Sequence, residues 1–448
     1  HMNPLCLVCI ASETVEIIRF YARTRVFNMN VYNSTYDDLK SHYDQVLNKD
    51  KTTYKNSNDE PTPIGCIEDM YSSIPQSFWN EGVEILDPCC GNGNFHLVTL
   101  QKLKSIGIDI GSIVDNNLYF NDINEDRIKN VKKVFGNNSN IFKKDFLQFE
   151  DTRKFDMVVA NPPFALFTED NKRASKNHTL VRDFISKAIS VTKENGYVLF
   201  IVPNNWMSYA NRNVVIEEIT KRQIIHLDIH GSKKWFPKIG SSFTWFLLKN
   251  AQTCQPYTTS TLYKKSIYSS VVQSGERKFI PLLWTTEVQS IFSKTIDVDN
   301  EKFAVETTSD LHAYTKKKLL SKEKDQDHPY RLWHTPSTNL YSSRPHKYQD
   351  GFKTFISLTN VYSLFVDNCG MTQSIAFVRC ESEEKAMETS KILDHNLYRF
   401  LNNVCRWGNF NNIKILKEFP IPQNPNDIYG SFGITNEEIQ FIENFLSA

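Results

Sequence analysis

Asn161, Pro162, Pro163 and Phe164 follow the apolar run Val158-Val159-Ala160 and are the residues of this chain best suited to chemistry. Consecutive prolines lock the backbone and remove its donors, so the Asn161 side-chain oxygen and the Pro162 carbonyl can both face one amino group without competition. Two acceptors on a planar NH2 hold its protons and turn the nitrogen lone pair toward an incoming methyl group. Phe164 supplies a ring to stack on the base that carries that nitrogen. The competing reading is a plain loop at a strand end.

Three further strand ends carry polar residues. Ile85-Leu86-Asp87-Pro88-Cys89-Cys90-Gly91-Asn92-Gly93-Asn94-Phe95 reads as a strand, an acid and a glycine turn before a helix. Gly91 and Gly93 let a ligand approach the backbone closely, and each allows positive φ. A dinucleotide fingerprint wants a third glycine at Phe95 or beyond, which is absent. The remaining use of an acid, a proline and Gly-x-Gly-x-Phe is to hold a zwitterionic amino-acid group, which favours S-adenosylmethionine as cofactor. Asp122 and Ile123, after Tyr119-Phe120-Asn121, place a carboxylate where a doubly wound sheet binds ribose hydroxyls. Taken alone, such an acid is a helix N-cap more often than a ligand. Asp145 and Phe146 offer an acceptor for an adenine amino group and a ring for its face, against the alternative of a surface acid beside a core aromatic.

These residues need a scaffold that gathers strand ends. Apolar runs at Val83–Leu86, Asn117–Phe120, Ile141 and Phe142, Phe155–Ala160, Tyr197–Val202, Ile224–Ile229 and Phe243–Leu248 alternate with amphipathic stretches. Short buried runs with helical crossovers predict a doubly wound, mainly parallel α/β sheet. We expect three parts: residues 1–60 as an N-terminal extension, 61–250 as the α/β domain and 251–448 as a second, α+β domain. In the extension, Ser34 and Thr35 are placed to cap a short helix from Asp37 to Leu47, and Asn48–Pro63 reads as a linker. The second domain shows strand candidates at Lys353–Leu358 and Ser374–Val378, a helix at Leu393–Leu401 and an extended segment at Lys414–Pro422.

The chain's 448 residues suffice for two or three domains, at roughly 150 residues each. A hydrophobic share of 40% with 23% charged residues excludes disordered and fibrous classes. No run approaches the roughly 18 apolar residues of a membrane span, and neither a leader peptide nor a membrane partner is expected. Nine cysteines, two of them adjacent at Cys89 and Cys90, argue against a disulfide framework and for an intracellular, reducing location. Cys6 and Cys9 lack a second ligand pair, so we read buried thiols there and expect no metal. The net charge of +1 conceals a local excess: Arg153–Lys249 holds 15 Lys and Arg against 8 Asp and Glu. That asymmetry suits a face approaching phosphates, and equally a solvated surface.

Together these motifs resemble those of the gamma-class N6-adenine DNA methyltransferases, which occur in restriction-modification systems and as solitary enzymes. The resemblance implies a class I methyltransferase sheet followed by a target recognition domain, with S-adenosylmethionine as cofactor and double-stranded DNA as partner. It also implies a cognate restriction endonuclease acting separately, and a bacterial or viral-host cytoplasm. By the same resemblance the cofactor is held by Thr62, Pro63, Asp87, Gly91, Gly93, Phe95, Asp122, Ile123, Asp145 and Phe146, while Asn161–Phe164 is the catalytic tetrad. Relatives carry an aromatic residue before the Thr-Pro pair, where Glu60-Pro61 stands here. A second aromatic for the other face of a flipped base falls on Phe236 in preference to Trp235, with a core aromatic as the competing reading. Lys172 and Arg173, with Lys176 and Arg182, are candidates for phosphate contacts, and Arg331, Trp333 and Arg344 for base reading. The alternatives are methylation of a guanine N2 in RNA or of a protein glutamine amide, each a planar NH2, or a non-catalytic DNA-binding subunit of a modification system.

Overall fold

Seven apolar runs of the first half become strands: β1 (Ile85–Asp87), β2 (Leu118–Asn121), β3 (Ile141–Phe142), β4 (Phe155–Ala160), β5 (Thr192–Pro203), β6 (Gln223–Ile229) and β7 (Phe243–Lys249). The structure is a computed structural model that describes residues 29–50, 52, 60–150, 152–164, 179–210, 214–237, 242–252, 255–359 and 361–448. Cys6 and Cys9 lie outside them. The chain divides into two units. One comprises residues up to Asn204 with Glu217–Tyr257 and Gln273–Gly275, and the other Asn205–Ile216, Thr258–Val272 and Glu276–Ala448.

In the first unit the strands lie in the order β3-β2-β1-β4-β5-β7-β6. β1 pairs in parallel with β2 (Ile85 opposite Leu118) and with β4 (Ile85 opposite Met157), so the chain winds outward in both directions from β1 and β4. The carboxyl ends of strands at such a reversal of order, here β1 and β4, are where open α/β sheets bind ligands. β7 runs antiparallel between β5 and β6. Strand interiors are buried, as the unbroken apolar run Val158-Val159-Ala160 foretold.

The helices follow from local chemistry. Thr35 caps α1 (Tyr36–His42) by accepting the Asp38 N–H, and α1 continues as a π-helical turn over Tyr43–Leu47. α2 (Ile64–Tyr71) starts directly after Pro63 and buries Ile64, Ile67, Met70 and Tyr71. α3 (Asn94–Ser105) starts from Gly93. In α4 (Glu125–Phe135), Asn124 is the cap, Glu125 and Asp126 face the positive end of the helix, Lys132 and Lys133 the negative end, and Ile128, Val131, Val134 and Phe135 are buried. α5 (Thr179–Val191) is the crossover between β4 and β5.

The second unit mixes small sheets and helices, the α+β texture expected. β8 (Tyr257–Tyr263) and β9 (Ser266–Val272) are neighbours turned at Lys264. A four-stranded sheet contains β10 (Leu320–Ser321), β11 (Tyr330–Thr335), β12 (Thr338–Ser342) and β15 (Gly370–Met371). β13 (Lys353–Ser357) is flanked on both sides by antiparallel β14 (Leu364–Asp367) and β16 (Ile375–Arg379). The helix expected at Leu393–Leu401 is Asn396–Val404, its start set by the His395 side chain, which accepts the Leu397 N–H, and a further helix, Glu383–Leu393, precedes it. The extended segment expected at Lys414–Pro422 begins instead with a helical turn, Ile413–Leu416, capped by Asn412.

Gly93 shows how tightly the first unit is fitted. Its φ is +90°, and a Cβ there would stand 2.7 Å from the Phe135 ring. Gly93→Ala is therefore expected to destabilise the first unit by about 1–3 kcal/mol, from left-handed strain and overpacking. Thermal melting of the full chain checks this; an unshifted transition would mean the turn relaxes freely.

Candidate functional site at the carboxyl ends of β1, β2 and β4

The glycine turn leaves β1 at Asp87. Gly91 adopts φ +55°, and a Cβ on it would meet nothing within 4 Å, so the space above the turn is open. Asp122, at the end of β2, stitches the turn in place: Oδ2 accepts the Gly91 N–H at 2.9 Å and Oδ1 the Asn124 N–H at 2.8 Å. The Arg127 guanidinium stands 3.9 Å away. Ile123 beside it is 62% exposed.

Asp87 is less well satisfied. It is 1% exposed, and its Oδ1 accepts the Cys89 N–H at 3.3 Å while Oδ2 has no partner. Burial, reinforced by the neighbouring Asp122 charge, pushes the Asp87 carboxyl far above the usual range. Thr62 is similar: it is buried, and its hydroxyl oxygen has no partner. Its carbonyl accepts from Asn94 Nδ2 at 2.7 Å, which fixes Thr62-Pro63 beside the turn. Two orphaned polar atoms thus border one glycine turn, each costing stability unless something else answers it.

At the end of β4 the tetrad is anchored on two sides. Asn161 Nδ2 donates to the Glu60 carbonyl at 3.1 Å. A carbonyl only accepts, so the nitrogen must lie on that side and Oδ1 is the half of the amide presented elsewhere. The Cys89 thiol donates to the Asn161 carbonyl at 3.5 Å, joining tetrad to glycine turn. Pro162 is buried, Pro163 exposed and Phe164 half-buried. The Phe164 ring lies 5.7 Å from Phe243, which lies 4.8 Å from Phe236.

The other candidate residues fall as follows. Phe95 is buried, 6.5 Å from the Tyr71 ring. Asp145 accepts the Leu147 N–H at 3.0 Å. Phe146 is 2% exposed and packs against Phe149 and Phe184. Phe236 is also buried, within the aromatic group that includes Phe164. Trp235 turns away to α2, where its indole N–H donates to Asp69 at 2.9 Å. Lys172, Arg173 and Lys176 lie outside the described residues, and Arg182 pairs with Asp183 at 2.6 Å. In the second unit, Arg331 and Trp333 both donate to Asp367, and Arg344 pairs with Asp310 at 2.7 Å. Sequence reasoning missed Glu60, which contributes only a backbone carbonyl, and Asp228, whose signal was its Asp-x-x-Gly-Ser turn.

Asp228 shapes the turn that leads to Phe236. It accepts the Ser232 N–H at 3.2 Å, and a Cβ on Gly231 would stand 2.3 Å from its Oδ2. Between them His230 adopts φ +64°, uncommon for a side chain of its size.

Seven strands in this order, with a glycine turn after β1 and Asn-Pro-Pro-Phe after β4, define the class I methyltransferase fold. The family model of the Eco57I restriction-modification methylases matches residues 3–236, and the chain belongs to that family. It is 29% identical over 164 residues to an uncharacterized adenine-specific methylase of Mycoplasma pneumoniae, covering 35% of this chain and 37% of that protein. To the type II methyltransferase M.VspI of a Vibrio species it is 23% identical over 206 residues, covering 43% and 47%. It thus spans less than half the length of either relative. A nuclease-deletion mutant of the type ISP restriction-modification enzyme LlaGI, solved with a DNA substrate mimic, shares the fold: TM-score 0.55 at 12% identity, over 93% of this chain and 57% of that one.

Burial raises the Asp228 carboxyl from 3.8 to about 7. A folded-state value above the unfolded one means protonation favours the fold, so this contribution is complete at low pH. It is lost as pH rises from about 4 through about 7. Asp228→Asn should flatten that fall by a few kcal/mol, at about 1.4 kcal/mol per pKa unit. Melting curves of both proteins across this range test it, and parallel pH profiles would contradict it.

Proposed function

We propose that this chain transfers a methyl group from S-adenosylmethionine to the exocyclic N6 of an adenine rotated out of duplex DNA. The observation that carries the reading is the Asn161 amide, turned by the Glu60 carbonyl so that an acceptor is offered beside the glycine turn.

The residues present fit the cofactor. Asp87 Oδ2 and Thr62 Oγ1, both buried without partners, suit the ammonium and polar atoms of an amino-acid group, and a cation there would draw Asp87 into its ionised form. The open face of Gly91 admits the ligand, the Asp122 carboxylate at the end of β2 is assigned to the ribose hydroxyls, and exposed Ile123 offers an apolar surface to a purine. Asp145 and Phe146 are assigned to the adenine edge of the same ligand, Phe146 from behind as packing. Phe95 and Pro63 back the turn. When bound, the cofactor supplies an electrophilic sulfonium methyl.

The chain's own groups do the rest. Asn161 Oδ1 and the Pro162 carbonyl accept the two amino protons of the base, stabilise positive charge developing on N6, and align its lone pair. Pro163 keeps the loop rigid. Phe164 stacks on the extruded base, recovering part of the few kcal/mol lost in unstacking, and Phe236 supports it through Phe243. Lys172 and Arg173 are proposed to meet phosphates near the extruded nucleotide, making affinity fall with salt. The second unit is assigned to target recognition, a role supported by the DNA-bound relative of similar fold. A separately acting endonuclease is the partner that restriction-modification membership favours.

The test is transfer of tritiated methyl from S-adenosylmethionine to plasmid DNA, ribosomal RNA and a glutamine peptide in parallel. Label should enter DNA alone. Asn161→Ala should lower turnover by at least about 100-fold, the scale of losing a transition-state hydrogen-bonding group, while cofactor affinity by calorimetry changes little. Label in RNA or peptide only, or an active Asn161→Ala protein, would defeat the reading.

A further inference from the structure

The segment before Glu60 reads from sequence as a detached extension, yet part of it grips the glycine turn. Tyr43 is fully buried, and its hydroxyl donates to the Asn92 carbonyl at 2.7 Å, between Gly91 and Gly93. The Asn92 side chain returns the bond, Nδ2 donating to the Leu47 carbonyl at 3.3 Å, while its Oδ1 accepts from Asn130 of α4 at 3.1 Å. Two residues later, Asn94 Nδ2 bridges Asn48 Oδ1 at 3.0 Å and the Thr62 carbonyl at 2.7 Å. The π-helical turn over Tyr43–Leu47, closed by Asn48 N–H to Tyr43 carbonyl at 2.8 Å, carries both the tyrosine and the Leu47 carbonyl to the same place. Such turns insert one extra residue per ladder and often mark functional sites.

A turn with two glycines is entropically loose by nature. We propose that residues 36–48 are a clamp that holds this turn in its ligand-ready shape, with Tyr43 as a positioning residue for the amino-acid arm of the cofactor. The inference rests on the cofactor reading above. Tyr43 touches no ligand itself; it acts through the Asn92 carbonyl. Without its hydroxyl that carbonyl is buried and unanswered, and the turn must reorder each time a ligand binds. The penalty falls on ligands that use the turn and spares those that use only the β2 end of the site.

The experiment is calorimetric binding of S-adenosylhomocysteine and of adenosine, which lacks the amino-acid arm, to the full-length wild type, Tyr43→Phe and Asn48→Ala. Tyr43→Phe keeps the ring and removes one buried hydrogen bond. We expect its affinity for S-adenosylhomocysteine to fall about tenfold and that for adenosine to change less than about twofold. Asn48→Ala, at the surface end of the same network, should shift S-adenosylhomocysteine in the same direction by a smaller factor. In methyl transfer, Tyr43→Phe should raise the cofactor KM with kcat at saturation retained. Equal losses for both ligands would reveal general loosening and overturn the clamp, as would unchanged affinities in both variants. A wild-type chain that bound neither ligand would instead sink the cofactor reading.

Discussion

The first unit is organised around two carboxylates buried side by side. Asp87 and Asp122 end adjacent parallel strands, so sheet geometry forces them together, and the Asp122 charge adds to burial in raising the cost of ionising Asp87. Asp122 is answered by two backbone amides and a nearby guanidinium. One of those amides belongs to Gly91, which reaches it only because the turn adopts positive φ. The conformation of the turn, the filling of the space under Gly93 by Phe135 and the bracing of Asn92 follow from that demand. Asp87 is left with one oxygen unanswered, a cost of its burial that the rest of the turn does not offset.

Much of this was legible in the residues. The strands appear because buried parallel strands are unbroken apolar runs, and Phe155–Ala160 could be bounded to the residue. Thr35 announced its helix because a hydroxyl cap is a local interaction. The tetrad's place at the end of β4 was equally plain. What was hidden was whatever depends on chain segments distant in sequence or on backbone atoms. The Glu60 carbonyl that orients Asn161 lies 101 positions away and has no side-chain signature. The tyrosine on Asn92 is one aromatic among many until its hydroxyl has an address. Helix boundaries failed where a single side chain decides them: nothing in the apolar pattern of Leu393–Leu401 says that His395 will cap. For Phe146 the sequence offered a ring for an adenine face or a core aromatic, and three-dimensional packing sets it against Phe149 and Phe184.

The second unit illustrates a different economy of charge. Arg331 and the Trp333 indole share one carboxylate, Asp367, and Arg344 shares Asp310 with the backbone N–H of Lys347. Asp310 is held low, to about 2, chiefly by its hydrogen bond to Arg344. A guanidinium held this way has surrendered some donors but also most of its rotamer freedom, so any further contact it makes is entropically cheaper.

The packing of Trp235 over α2 couples two positions far apart in the chain. A methyl group added at Gly65 would stand 2.3 Å from the indole, and the indole N–H is spoken for by Asp69, one turn further along the same helix. Residues 65 and 235 therefore divide a fixed volume. Among homologous chains a larger residue at the first should travel with a smaller ring at the second, so that covariation between them would report steric exclusion and not a shared role in chemistry.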